Sequence, residues 1–255
     1  MEVLVVGNTA YVDDDFCAKA FPGDHVQVVA AQDTRRDESS PHASWKELLQ
    51  HLDQAYEFDR VVYLSNYLTP HTDTVGEIEL LRSVFRTCAG RRVQLLYVAG
   101  PAGAEGAADA AGRTGKGIIA HAADDLCRYY AAREGVQTKI LRVPFLYTAS
   151  PSLTDPFLVP LFDACSTGSV ALQGAEDAPF PLLCAEELAV LVHRIFDSWD
   201  ASFEMLDVAD AFGHTAVELG EALQGLFPEL TVAYGDSAGY VLPASDVARV
   251  RYGWF

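Results

Sequence analysis

Met1-Glu2-Val3-Leu4-Val5-Val6-Gly7-Asn8-Thr9-Ala10-Tyr11-Val12-Asp13 is the stretch that decides the fold. Its four consecutive aliphatic residues, Val3 to Val6, read as a strand buried on both faces, and Gly7 ends that strand on a turn. Asp13, Asp14 and Asp15 then open a short helix that carries Phe16 to Phe21 and stops near Pro22-Gly23.

Outward from this unit the same alternation continues. Val26 to Ala30 reads as a second strand, the polar residues Gln32 to Pro41 as a loop and Trp45 to Gln54 as a helix. Arg60 to Leu64 is the next strand. Val75 to Cys88 places Ile78, Leu81, Val84 and Phe85 on one helical face, and the strand Val93 to Val98 follows. Gly100 to Gly117, rich in Ala and Gly, reads as a mobile loop, His121 to Arg133 as a helix and Thr138 to Val143 as a strand. Strands alternating with helices predict an α/β fold, a Rossmann-type doubly wound parallel sheet.

Residues 1–147 are read as the Rossmann-type domain, and residues 148–255 as a small C-terminal substrate-type lobe interleaved with its core. From Thr148 to Pro181 the pattern is irregular, with Pro151, Pro156, Pro160 and Pro179, as in a lobe or lid. Helical patterning returns at Ala185 to Trp199 and at Thr215 to Phe227, the latter opened by Thr215 with Glu218 three residues on, a capping-box signature.

Bulk properties exclude several function classes. The chain has 255 residues, half of them apolar, enough for one full α/β core. Its 36 acidic residues against 18 basic ones give a net charge of −18, which repels nucleic-acid phosphates and anionic lipid headgroups. No apolar run approaches the ~20 residues that span a bilayer, and the first residues enter a strand directly, so a cytoplasmic location is expected. Cys17, Cys88, Cys127, Cys165 and Cys184 are scattered without a C-x-x-C pair, so structural thiols are expected and no metal site.

The turn Gly7-Asn8-Thr9-Ala10-Tyr11-Val12-Asp13 resembles the G-x-T-G-F-I-G turn of the extended short-chain dehydrogenases, the NAD-dependent epimerase/dehydratase family. Other stretches carry the resemblance along the chain. Asp73 to Leu81 is similar to the N-V-x-G-T-x-x-L-L helix. Leu141-Arg142-Val143-Pro144-Phe145-Leu146-Tyr147 is similar to the L-R-x-x-x-x-Y strand, Leu183 to Ala189 to the V-x-D-x-A turn, and Tyr252-Gly253-Trp254 to the closing L-G-W. The resemblance implies that Gly7, Asn8, Thr9, Ala10, Tyr11 and Val12 form a phosphate turn, with Ser65 and Asn66 beside it. Arg35 and Arg36 stand where NADP-preferring relatives hold a 2′-phosphate, although solvated loop charges are the plainer reading. Ala10 and Asp13 replace two glycines of the turn, and three carboxylates on the first helical turn compete with a pyrophosphate for the same donors.

Catalysis in that family needs a Ser or Thr after the strand that precedes the active-site loop, then a Tyr and a Lys four residues apart on the next helix. The tyrosine moves a proton while the lysine lowers its pKa and holds the nicotinamide ribose. Here the strand ends Tyr97-Val98-Ala99-Gly100. Aligning Ala123-Asp124-Asp125-Leu126 with the family's A-E-x-L places Lys116 at the tyrosine and Ala120 at the lysine. Tyr129 and Tyr130 fall two to three helical turns too late. His121 is the one nearby side chain suited to proton transfer near neutral pH, and a lone histidine is more often a surface or cleft residue.

The expected crevice at the carboxyl edge of the sheet is lined by Asn8, Thr9, Ser65, Asn66, Tyr67, Ala99, Gly100, Arg142 and Tyr147. The reading that follows is a catalytically degenerate epimerase/dehydratase-like domain that binds, senses or regulates through a small molecule or nucleotide, with no cofactor expected and NAD or NADP the candidates if one binds. Two alternatives stand: an active NAD(P)-dependent epimerase, dehydratase or reductase with non-standard residues, and a protein-interaction module of a multidomain protein. The resemblance also implies a homodimer through the helices at Val75–Cys88 and His121–Arg133. The first keeps Leu80, Leu81, Val84 and Phe85, but the second carries Asp124, Asp125 and Arg128, which leaves dimerisation open. The end at Trp254-Phe255, where relatives continue, suits a domain followed by a C-terminal partner domain.

Overall fold

Along the first strand, alternate side chains enter two different cores. Val3 and Val5 join one apolar cluster, Leu4 and Val6 the other, so the strand is buried on both faces. The computed structural model describes residues 1–7, 10–30, 58–65, 74–100, 115–148, 158–172, 175–180, 182–208, 213–235 and 247–253. The expected loop at Gln32–Pro41, the helix at Trp45–Gln54 and most of the Gly100–Gly117 segment lie outside these residues.

In chain order the elements are β1 (Glu2–Gly7), α1 (Asp14–Ala20), β2 (His25–Ala30), β3 (Arg60–Leu64), α2 (Thr74–Cys88), β4 (Gln94–Ala99) and α3 (Gly115–Arg133). They continue as β5 (Gln137–Arg142), β6 (Phe145–Tyr147), α4 (Leu158–Ser166), β7 (Ser169–Leu172), β8 (Leu182–Cys184) and α5 (Ala185–Asp197). β9 (Phe203–Asp207), α6 (Ala216–Leu226), β10 (Thr231–Tyr234) and α7 (Val247–Tyr252) complete the order. A six-stranded sheet runs β2-β1-β3-β4-β5-β9 with every pairing parallel. α1, α5 and α7 cover one face, whose core includes Phe16, Phe21, Leu188, Val192, Phe196 and Ala248. α2 and α3 cover the other, around Leu81, Phe85, Tyr97 and Cys127. The fold is therefore the predicted doubly wound α/β sheet.

The chain after Tyr147 serves two structures. α5, β9 and α7 belong to the main sheet and its helical layer, while β7 and β10 pair as a second, two-stranded sheet beside α4 and α6. Cys165, Val170, Leu172, Leu223 and Leu230 form the separate core of this small lobe. Gly220 of α6 lets it form: a Cβ there would run into the Tyr234 hydroxyl of β10.

Two elements are larger than the sequence pattern predicts. α3 starts at Gly115 rather than His121, because Gly115 and Gly117 lower helix propensity and hide the first turns. α4 forms inside the proline-rich stretch because Pro160 falls in its first turn, where a missing N–H removes no intrahelical bond. Leu80, Leu81, Val84 and Phe85, counted above toward a dimer face, are buried in the chain's own core. The outer surfaces of α2 and α3 instead expose Arg82, Arg86, Asp125, Arg128 and Tyr129. Among the described residues no helix is long and apolar enough to cross a membrane, and the five cysteines are unpaired thiols.

Candidate functional site

Strand order reverses at β1, which pairs with β2 on one side and β3 on the other. A crevice at the carboxyl ends of β1 and β3 follows from that reversal. Register sets the row along this edge: Gly7 lies opposite Leu64, Leu64 opposite Val98, Ala99 opposite Arg142 and Arg142 opposite Asp207. The Ser65 N–H donates to the Val98 carbonyl at 3.0 Å, so β3 continues past its last ladder pair with Ser65 beside β4. Gly7, Ser65, Ala99, Gly100 and Arg142 are thus brought to one edge.

Gly7 has a structural reason of its own. Its φ is +109°, and a Cβ would collide with the Leu64 carbonyl of β3, so no other residue fits there. Beyond the turn, Tyr11 is only 5% exposed and Val12 packs beside it in the core under α1 and α5. Tyr11 and Val12 are two of the residues expected in the phosphate turn, and their side chains seat α1 against the sheet. Asn8, Thr9, Arg35, Arg36, Asn66 and Tyr67 lie outside the described residues.

Asp13 is the N-cap of α1. Its backbone is extended, at φ −112° and ψ −176°, and its Oδ1 accepts the Phe16 N–H at 2.8 Å. Asp14 and Asp15 follow in the first turn, and Asp15 also binds Lys19 at 2.5 Å. A dinucleotide pyrophosphate is held on this fold by backbone donors at this same position. Here a carboxylate of the chain already takes one donor of the first helical turn, and two more stand beside it.

Arg142, a cation among the described residues of the crevice edge, is likewise engaged. Its Nη2 lies 2.5 Å from Asp124 of α3 and its Nη1 lies 3.9 Å from Asp207 of β9. Asp124 is buried and Asp207 is partly exposed, and one guanidinium faces both carboxylates. Tyr147 ends β6 opposite Cys184 of β8. The thiol of Cys184 donates to Glu186 Oε2 at 2.6 Å, and Thr148 reaches the other oxygen at 3.4 Å. Burial and that bond push the thiol up, away from the thiolate. This Thr148–Glu186–Cys184 group is missed by sequence reading, and only the V-x-D-x-A similarity pointed near it.

α3 runs through Lys116 and Ala120, the registers at which the family places its tyrosine and lysine. His121 is exposed on the same helix. Tyr129 and Tyr130 sit at its far end, which leads into the amino end of β5, away from the crevice. Tyr130 stacks on Phe85 with ring centroids 4.7 Å apart, and Tyr129 meets it edge-on. A close tyrosine–lysine pair does exist, Tyr252 with Lys139 at 2.8 Å, but it lies toward the amino ends of β5 and β9 inside an ionic cluster. Sequence reading missed that pair because 113 residues separate its members.

Neither a protein-family model nor a curated protein sequence matches the chain. Solved structures do match. MoeE5 in complex with UDP-glucose and NAD superposes with a TM-score of 0.74 at 16% identity, covering 100% of this chain and 93% of that one. UDP-glucose 4-epimerase from Thermotoga maritima with UDP-glucose gives 0.71 at 14% identity, with the same coverage of 100% and 93%. A dTDP-glucose 4,6-dehydratase from Streptomyces venezuelae, with NAD bound, gives 0.65 at 15% identity over 99% of this chain and 96% of that one. The class this defines is the fold of the nucleotide-sugar epimerases and dehydratases, present from end to end. At these identities the likeness speaks to fold alone.

Proposed function

We propose that this chain is a catalytically degenerate epimerase/dehydratase-like domain, which uses the crevice of that fold to bind a small ligand, in sensing or regulation, without transforming it. One observation carries the reading: the helix and strand that should supply the proton-transfer trio are both formed, and neither carries it. β4 ends at Ala99, and α3 passes through Lys116 and Ala120 with no tyrosine before Tyr129. Without a phenol and its lysine at these registers, β4 and α3 lack the groups with which that family moves a proton to or from a sugar hydroxyl as hydride leaves. The frame is kept while the reacting groups are not, as expected where binding outlasts chemistry.

The nucleotide sugars and NAD of the solved structures are therefore probes of the crevice rather than substrates. Ser65, Gly100 and Arg142 offer polar contacts at its edge, with Arg142 already paired to Asp124. Calorimetry on the full chain with UDP-glucose, UDP-glucuronic acid, NAD and NADP tests this. Saturable binding of a sugar nucleotide or other small ligand without product supports the reading. An NAD-dependent change of any of these sugars overturns it.

A further inference from the structure

Lys139 is wholly buried yet has no part in the crevice. It points from β5 to the face covered by α5 and α7. Its ammonium lies 2.8 Å from the Tyr252 hydroxyl, 2.9 Å from Glu204 and 3.3 Å from Asp200. The rings of Trp199 and Tyr252 flank it, with centroids at 5.0 and 5.3 Å. Arg251 closes the cluster from the solvent side: its Nη2 donates to both oxygens of Asp200 at 2.7 and 2.6 Å, and its Nη1 to Glu204. The Tyr252 hydroxyl in turn lies 3.2 Å from Glu204. Arg194 of α5 donates to the carbonyls of Tyr252 and Gly253, which close the end of α7.

The charge balance of this group depends on α7. With α7 docked, Lys139 and Arg251 offset Asp200 and Glu204. Without it, one lysine faces two carboxylates and Glu204 loses two of its three partners. α7 has six residues, well below the length at which a helix holds itself in water, and among its described side chains only Ala248 and Tyr252 are buried. Packing alone gives it little hold, so charge pairing governs whether it stays.

We propose that α7 is an ionic latch on the sheet edge, which opens as a local unit while the sheet stays folded, with Arg251 and Tyr252 as the clasp that closes over Lys139. This does not depend on the crevice reading, and its failure would leave that reading untouched.

Hydrogen exchange on the full chain, resolved to the peptides of α7 and of β4 and β5, provides the test. Arg251→Gln is the working variant because Arg251 is partly exposed and its loss leaves the core packing intact. The latch predicts that Arg251→Gln speeds exchange over 248–253 by about tenfold or more and leaves β4 and β5 unchanged. Arg251→Lys recovers part of the protection by keeping the charge. Raising salt from about 0.05 to about 1 M acts in the same direction as Arg251→Gln, since the Arg251–Asp200 pair is open to solvent. Tyr252→Phe, which keeps the ring and removes the hydroxyl, gives a smaller rise over the same peptide. Unchanged α7 exchange in Arg251→Gln overturns the proposal, and so does α7 exchanging only together with β4 and β5.

Discussion

Asp13 offers its carboxylate to the Phe16 N–H, where the fold otherwise offers donors to a ligand. Replacing it with alanine leaves that donor to water and weakens α1. We expect Asp13→Ala to lower stability by about 0.5–2 kcal/mol in urea unfolding. Gly7 is the stricter position, because a side chain there meets both a left-handed backbone and the Leu64 carbonyl. Gly7→Ala is expected to cost more than about 2 kcal/mol and to disturb the β1–β3 pairing, seen as a fall in the urea midpoint. At this scale the sequence is legible where a residue acts alone: Gly7 and the aspartates of α1 stand out by type and place. It is illegible where residues act by meeting, since nothing near Lys139 announces Glu204 or Tyr252. The core role of Tyr11 is illegible for a related reason, because an aromatic in a ligand turn and an aromatic seating a helix look alike until the core is seen.

Elements follow period and caps, and those with clear caps are the ones read best. Thr215 and Glu218 form the expected reciprocal box at the start of α6, with both hydrogen bonds in place. α3 and α4 are under-read because glycine and proline carry opposite meanings at helix starts and interiors, and only tertiary contacts decide between them. α7 illustrates how an element too short for its own stability depends on charge. Burial opposes the charge on Lys139, but bonds from Tyr252 and Glu204 outweigh it and hold the ammonium above its ordinary value. Burial also raises the Tyr252 phenol above the usual 10.0. Both groups favour the protonated form when folded, so their contribution is complete below the ordinary values and is lost as pH rises through the raised ones. Asp200 runs the other way: the Arg251 bond lowers it below the usual 3.8, so its contribution is present above that value and lost as pH falls through the lowered one. Exchange over α7 should therefore be slowest, relative to the intrinsic amide rate, between these limits. A profile that rises steadily through neutral pH would be incompatible with this cluster.

On the scale of the whole molecule, the parallel sheet with β1 at the point of reversal, and its match to epimerases and dehydratases from end to end, were legible because buried strands and helical periods repeat throughout. The crevice was legible as a place, since topology alone puts Gly7, Ser65, Ala99 and Arg142 on one edge. Its electrostatics were not, because the Arg142–Asp124–Asp207 contacts join three elements. The proposed function holds that the frame is kept without its reacting groups. Its most direct test is prolonged incubation of the full chain with NAD and UDP-glucose, followed by separation of the sugar nucleotides. Binding without turnover predicts UDP-glucose recovered unchanged and no reduced nicotinamide; UDP-galactose or any oxidised sugar, formed in proportion to protein and dependent on NAD, would contradict it.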